Sequence, residues 1–210
     1  MKERTSRLTD GFFARHEAFG AIKTEILGAC GLLLDAFRRG GKLLACGNGG
    51  SCADADHIVG ELMKGFLLRR PLPEAERAAF AEQFGGEGAA SAAKLGRAAR
   101  RLLCACGAHE RLENDVIRRS STRSRHTPTR GRGRVPGPAS GNAENVRAAA
   151  MAANPGRKVI ALTGEGGGKL APLADCAVRA PERETYRVQE CHLAIYHFLC
   201  AYVESELFDE

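Results

Sequence analysis

Residues 43–66 read LLACGNGGSCADADHIVGELMKGF, and this stretch decides the fold. The apolar run from Leu43 to Cys46 is typical of a buried strand. A glycine-rich turn follows, and a helical pattern then begins near Ser51, a residue type that often caps a helix N-terminus. Strand, turn and helix start together favour phosphate binding, because free N–H groups and the helix dipole point at the anion. A tight turn that binds no ligand is the competing interpretation.

Two chemically active side chains follow in the same helical pattern. His57 and Glu61 are four residues apart, which places an imidazole and a carboxylate on one helix face. Such a pair suits a metal or an acid–base site, although most exposed pairs of this kind are only surface contacts. Near the other end of the chain, Gln189 and His197 share one face of a second helical pattern, two turns apart. A histidine on so apolar a helix is more often a core residue than a ligand.

Strands alternate with helices along the chain. Residues 7–39 read as two helices that end at the glycine pair 40–41, and strands are predicted at 42–46 and 158–163. A long helix is predicted over residues 184–207. This alternation predicts an α/β fold with a mostly parallel sheet, in which ligands sit at the carboxyl ends of the strands.

Composition limits the class of protein. The chain has 210 residues, 44% of them hydrophobic, which fits one globular domain with a substantial core. No apolar run reaches the ~18 residues of a transmembrane helix and the first residues lack a signal-peptide pattern, so a cytoplasmic location is expected. The eight cysteines include no Cys-x-x-Cys pair, and we expect free thiols. The net charge of +6 comes largely from residues 97–134.

Four runs of sequence resemble one known family. They are ACGNGGS at 45–51, followed by Asp54, His57 and Glu61-Leu62, then SGN at 140–142 with Asn145-Val146, VIALTG at 159–164, and RVQECH at 187–192 with His197. Together and in this order they resemble the sugar isomerase (SIS) domain of phosphoheptose isomerases, over about residues 1–84 and 140–207. The resemblance implies a single SIS domain over residues 1–210. Its fold would be a three-layer α/β sandwich of the Rossmann or flavodoxin-like kind, with a helical region at 1–40 added.

The resemblance also implies an activity in carbohydrate metabolism. Phosphoheptose isomerases interconvert sedoheptulose 7-phosphate and D-glycero-D-manno-heptose 7-phosphate through an enediol, an early step in bacterial heptose biosynthesis. They are typically homotetramers with sites shared between subunits, and several bind zinc. We therefore expect a sugar-phosphate substrate, a homotetramer, one zinc ion per subunit and no membrane partner.

The roles of individual residues follow from the resemblance alone. Glu61 would be the catalytic base and His197 its acid–base partner, because ketose–aldose exchange needs both kinds of group. Zinc would be held by His57, Glu61, Gln189 and His197. The substrate would be held by Asn48, Gly49, Gly50, Ser51, Glu61, Asn114, Asp115, Ser140 and Gln189.

Residues 86–138 depart from the family pattern. The family's serine-rich loop is reduced to Ser140, and residues 130–136, which should form the buried strand before it, are charged and contain glycine and proline. We predict no strand there, and we interpret residues 86–138 as an atypical basic segment that is disordered or encoded in a shifted reading frame. The expected consequences are lower stability than an intact relative and weak or absent activity.

Two other functions remain open. A non-catalytic SIS protein that binds a sugar phosphate or has a regulatory role would have no need of Glu61 and His197, but the altered serine loop would suit it. A nucleic-acid binder using residues 118–134 is the weaker option, because this segment has no Phe, Tyr or Trp to stack on bases.

Overall fold

A parallel β-sheet is the middle layer of the computed structural model, which describes residues 1–95, 103–104, 132–137, 141–153 and 156–209. The strands are β1 (Lys42–Gly47), β2 (Leu103–Cys104), β3 (Arg132–Gly137), β4 (Lys158–Thr163) and β5 (Cys176–Arg179). Within these described ranges the strand order is β2–β1–β3–β4–β5, and each strand runs parallel to its neighbours. The predicted α/β fold with a mostly parallel sheet is confirmed.

Helices cover both faces of this sheet. They are α1 (Glu3–Arg15), α2 (Lys23–Arg38), α3 (Gly50–Met63), α4 (Glu74–Lys94), α5 (Glu144–Ala153) and α6 (Thr185–Leu207), with short 3-10 helices at Glu17–Ile22 and Ala171–Leu173. The predicted N-terminal helices are present as α1 and α2. Helix α2 ends at the glycine pair, where Gly40 has a φ of +72° that glycine adopts without strain.

The residues of β4 show how the layers form. Ile160 and Leu162 belong to one core with α2, α3 and α6, whereas Val159 and Ala161 belong to a second core with α5. Neighbouring residues of a strand point to opposite faces of the sheet. This apolar strand is therefore buried on both sides, and the helices that bury it complete a three-layer sandwich.

Residues 132–137 form β3, so the prediction that this stretch makes no strand is wrong. All six of its residues pair with β1, and Gly133 and Arg134 also pair with β4. Ladder hydrogen bonds join backbone groups, so two apolar neighbours can hold a strand of unsuitable composition. In the sequence RGRVPG, Val135 alone is of the Val, Ile or Leu kind that dominates buried parallel strands. The lower stability expected from this segment therefore stays a prediction.

Two boundaries differ from those that the sequence indicates. Helix α3 begins at Gly50, so the prediction that Ser51 is the N-cap is wrong. Ser51 lies inside the first turn and is 4% exposed. The N-cap is Gly49, whose φ of +51° and ψ of −126° suit glycine rather than serine. Helix α4 continues to Lys94 through a kink at Gly85, so the first residues of the atypical segment are helical.

Helix α1 docks on the end of α6. The hydroxyls of Thr5 and Ser205 are 2.8 Å apart and buried. The backbone N–H of Lys2 donates to Glu206 Oε1 at 2.7 Å. These polar contacts join the first helical turn of the chain to the last one.

Two further predictions from composition can be checked. No helix in the described ranges combines the length and apolarity that crossing a bilayer requires. The cysteines whose surroundings are described have free thiols, as predicted: Cys30, Cys46, Cys52, Cys176, Cys191 and Cys200.

Candidate active site

Helices α3 and α6 bring the predicted catalytic side chains together within one chain. His57 and Glu61 lie one turn apart on α3, and His197 approaches them from α6. The distance from His57 Nε2 to Glu61 Oε1 is 3.1 Å, and the distance from His57 Nε2 to His197 Nε2 is 3.4 Å. The side chain of His57 is 42% exposed, whereas that of Glu61 is 8% exposed. The cluster therefore has an accessible imidazole in front of a buried carboxylate.

The two oxygens of Glu61 have different surroundings. Nζ of Lys64 lies 3.1 Å from Oε1. The other oxygen, Oε2, is buried and has no hydrogen-bond partner among the described residues. Leaving a buried carboxylate oxygen unpaired is costly, so Oε2 is available to a proton, a substrate group or an ion.

His197 is favoured as a neutral imidazole. Burial lowers the pKa of His197, the neighbouring His57 lowers it further, and Glu61 opposes both effects only in part. A neutral imidazole can donate a proton through one nitrogen and accept one through the other. His197 can therefore exchange protons with the oxygens of a bound sugar.

A buried tyrosine lies behind His57. Tyr196 is 1% exposed, and its hydroxyl is 2.9 Å from His57 Nδ1. Asp54 precedes His57 by one turn of α3, and its Oδ2 is buried with no hydrogen-bond partner in the part of the chain that the structure describes. Burial raises the pKa of the Asp54 carboxyl, against the opposing effects of the Tyr196 hydroxyl and of His57. Burial, followed by the charge of Asp54, raises the pKa of Tyr196.

The glycine turn before α3 is packed against Gln189 of α6. A Cβ added at Gly50 would lie 2.4 Å from Gln189 Nε2, so only glycine lets this side chain approach the helix start. The structure thus places Gln189, predicted to bind both substrate and metal, at the start of α3.

Asn48, at the beginning of the same turn, is held by a residue that the sequence analysis did not select. Its Nδ2 donates to Asn145 Oδ1 at 2.9 Å, and Asn145 Nδ2 donates back to Asn48 Oδ1 at 2.8 Å. The pair joins the carboxyl end of β1 to the start of α5. Both residues lie in the runs that resemble the family, which is the signal that could have paired them.

A small crevice opens beside the cluster, at the carboxyl ends of β1 and β4. His192 lies at its base, 1% exposed, with Nε2 3.3 Å from the carbonyl oxygen of Thr163. Burial lowers the pKa of His192, although that carbonyl opposes the effect. His192 is therefore a neutral, packed residue. The crevice is lined by Cys46, Ser51, Asp54, Ala55, Ile58, Leu162 and His192.

A buried ion pair fixes the end of α3. The side chains of Arg70 and Glu204 are 0% and 1% exposed, and Arg70 Nε donates to Glu204 Oε1 at 2.7 Å. Glu204 also accepts the backbone N–H groups of residues 66–68, at 2.8, 2.6 and 3.1 Å. Arg70 in turn donates to the Leu62 carbonyl at 2.9 Å. The pair therefore ties the end of α3 and the loop after it to α6, the two helices on which the site is built.

The chain is similar over most of its length to a phosphoheptose isomerase of Rhodospirillum rubrum, with 36% identity over 190 residues, 90% of this chain and 89% of the relative. This chain belongs to the phosphoheptose isomerase family. A phosphoheptose isomerase of Aneurinibacillus thermoaerophilus is 34% identical over 184 residues, 83% of this chain and 78% of that protein. The SIS domain family matches residues 14–108.

A solved structure agrees with this assignment. The phosphoheptose isomerase of Neisseria gonorrhoeae superposes with a TM-score of 0.61 at 27% identity, over 95% of this chain and 96% of that one. The predicted resemblance is thus confirmed. As a member of this family, the chain is a sugar-phosphate isomerase.

Three predicted substrate residues, Asn114, Asp115 and Ser140, lie outside the residues that the structure describes. Their part in the site stays a prediction. The other predicted residues gather at two neighbouring places, the His57 cluster and the glycine turn.

The zinc ion implied by the resemblance can be tested against the side chains present. Two imidazoles, a carboxylate and an amide are donors of the kinds that zinc accepts. Atoms bound to a tetrahedral ion at about 2.0–2.1 Å lie roughly 3.3 Å apart, and the separations of 3.1 and 3.4 Å around His57 Nε2 match this spacing. Among the described residues, however, no three His, Cys, Asp or Glu side chains form a complete metal cluster. The donors fit in kind and in two spacings, and zinc binding stays a proposal.

Proposed function

We propose that this chain interconverts sedoheptulose 7-phosphate and D-glycero-D-manno-heptose 7-phosphate through an enediol. The observation that supports this is the position of Glu61 and His197 on either side of His57, at 3.1 and 3.4 Å. Ketose–aldose exchange needs one group that moves a proton between carbons and another that serves the oxygens. A carboxylate beside a neutral imidazole supplies both.

Glu61 acts as the base in this proposal. It removes a proton from the hydroxyl-bearing carbon beside the carbonyl, and the enediol forms. Glu61 then returns the proton to the neighbouring carbon. His197 gives a proton to the carbonyl oxygen and takes one from the adjacent hydroxyl, so the substrate gains and loses no proton overall.

The start of α3 anchors the phosphate. Gly49, Gly50 and Ser51 form the glycine turn and first helical turn, where backbone N–H groups and the helix dipole favour an anion. Fixing the phosphate there would orient the reacting carbons toward Glu61. Gln189 packs against Gly50 and would contact the sugar between the two places.

Zinc, when bound, would polarise the carbonyl oxygen of the substrate. His57, Glu61, Gln189 and His197 are the residues proposed to hold it. The homotetramer, the part in heptose biosynthesis and the cytoplasmic location stay predictions.

Proton exchange tests the proposal directly. The full-length protein is incubated with sedoheptulose 7-phosphate in D₂O, with and without zinc, and deuterium at the carbons flanking the carbonyl is followed by NMR. We expect exchange in the wild type and none in Glu61→Gln. Glu82→Gln, an exposed glutamate of α4, is the matched control and should exchange at the wild-type rate. Exchange that persists in Glu61→Gln would exclude Glu61 as the base, and binding without exchange in the wild type would favour the non-catalytic alternative.

A further inference from the structure

The buried pair of Arg70 and Glu204 contacts the helix turn that carries Glu61. Helix α3 ends at Met63, and the last carbonyl groups of a helix have no partner within the helix. Arg70 donates to two of them, from Nη1 to the Leu62 oxygen at 2.9 Å and from Nη2 to the Glu61 oxygen at 3.4 Å. The backbone of the proposed base is therefore held by a guanidinium that is fully buried.

The other member of the pair holds an aromatic ring against His197. Glu204 Oε1 accepts the backbone N–H of Phe66 at 2.8 Å. Its Oε2 accepts the N–H groups of Leu67 and Leu68 at 2.6 and 3.1 Å. The Phe66 ring packs on the imidazole of His197, with ring centroids 5.5 Å apart and planes inclined by 31°. One carboxylate thus fixes the loop whose side chain contacts the proposed acid–base partner.

Stability alone is a weak reason for burying such a pair. Removing two charges from water is costly, and apolar side chains of similar volume are often equally or more stabilising. Apolar side chains cannot supply directed hydrogen bonds, however, and the bonds of this pair end on the two segments beside the reactive groups. Placement matters for the chemistry, since moving a reactive group by about 1 Å can cost roughly 100-fold in rate.

We propose that Arg70, Glu204 and Phe66 are positioning residues for the isomerisation. The pair fixes the backbone of Glu61 directly, and it fixes the imidazole of His197 through the Phe66 ring. The three residues act through these two groups rather than on the substrate. The inference rests on the proposed function and adds the residues that keep its two proton-transfer groups at their spacing.

Phe66→Leu tests the contact with His197. Leucine keeps an apolar side chain in the core but has no ring to lie against the imidazole. With the full-length protein and sedoheptulose 7-phosphate, we expect kcat to fall roughly 10-fold while KM stays close to the wild-type value. Phe84→Leu, at a phenylalanine of α4 that is 57% exposed, is the matched control and should leave both constants unchanged. A wild-type kcat in Phe66→Leu would overturn the inference.

Arg70→Met combined with Glu204→Gln separates placement from stability. The double variant buries neither charge, so it should lose less stability than the two single changes together. Methionine cannot donate to the Glu61 carbonyl. The glutamine amide has one oxygen where the carboxylate had two, so the N–H of Phe66 or those of its neighbours lose their acceptor.

We therefore expect kcat of the folded double variant to stay roughly 10–100-fold below the wild-type value, with KM little changed. If the pair only stabilised the fold, kcat would return together with stability. That result would overturn the inference.

Carbon–proton NMR of the imidazole rings tests the placement without substrate or zinc. The metal-free proteins are labelled with [¹³C]histidine and studied at about pH 8.5, well above the ordinary histidine pKa of about 6.5. The signals of His197 are those that disappear in His197→Gln. We expect them to move in Phe66→Leu and in the double variant, and to stay in place in Phe84→Leu. Unmoved signals in the folded double variant would overturn the inference.

The two measurements keep this inference separate from the proposed function. If the double variant does not fold, Phe66→Leu decides by both kcat and NMR. The NMR measurement needs no turnover, so it tests the placement even where the wild type shows no proton exchange. Its failure would in turn leave the Glu61 exchange test standing.

Discussion

The buried pair of Arg70 and Glu204 offers the sharpest test of how the two site helices are held together. Glu204→Ala removes the acceptor of four hydrogen bonds, one from Arg70 and three from the backbone of residues 66–68. The guanidinium would stay buried without its carboxylate. Breaking such a pair from one side typically costs about 3–5 kcal/mol.

This loss is large beside the total stability of a domain, which is about 5–15 kcal/mol. A change of 1 kcal/mol shifts the melting temperature of a protein of this size by about 2–4 °C, so we expect Glu204→Ala to melt roughly 10 °C lower. Arg7→Ala breaks a 3.3 Å pair with Glu3 whose side chains are 73% and 84% exposed. This control should change the free energy of unfolding by less than about 0.5 kcal/mol.

Urea unfolding of single and double variants separates the charge effect from the loss of packing. Arg70→Met leaves a buried carboxylate, and Glu204→Gln leaves a buried guanidinium. The double variant has neither charge and keeps an oxygen for the backbone N–H groups of residues 66–68. We expect it to lose less stability than the sum of the single changes. Strictly additive losses, or a loss below about 1 kcal/mol for Glu204→Ala, would refute the reasoning.

Three further changes can be checked with purified protein. Gly50→Ala places a methyl group 2.4 Å from Gln189 Nε2 and must displace it, so we expect a roughly 10–100-fold loss of kcat/KM. Gly60→Ala, in the same helix with open space around it, should instead stabilise the protein by about 0.5–1 kcal/mol in urea unfolding and leave kcat/KM unchanged. Unchanged kinetics in the first variant, or lower stability in the second, would contradict these expectations. Burial holds the pKa of His192 below its ordinary 6.5, so the unfolded chain binds a proton that the folded chain excludes, and stability should fall as the pH drops below about 6.5. His192→Gln should flatten this fall between pH 7.5 and 5.5, and an equally steep fall in the variant would exclude His192 as its cause.

A strand of the sheet was predictable where its composition matches its burial in the fold. Strand β4 is apolar from Val159 to Leu162, and these four residues are all buried, so the apolar run alone predicts a buried strand. Strand β3 was not predictable, because its place between β1 and β4 is set by backbone pairing with distant strands rather than by its own composition. The start of α3 shows the same limit on a smaller scale, since the N-cap is Gly49, with its positive φ, two residues before the predicted Ser51.

The sequence was a better guide to which side chains lie in the candidate site than to the contacts between side chains on different helices. Spacing put His57 and Glu61 on one face of a helix, and the resemblance added His197. No spacing rule pairs His57 with Tyr196, because they lie on different helices and meet only when α3 packs on α6. Long-range packing therefore decides which side chains support the reactive ones.

The docking of α1 on α6 has a consequence for the order of folding. The hydrogen bond between Thr5 and Ser205 spans 200 positions of the chain, and contacts of such long range form late because the ends of a long loop must first meet. During synthesis, the N-terminal helix emerges from the ribosome long before its docking surface exists. Its seating must therefore wait until nearly every other element has been translated.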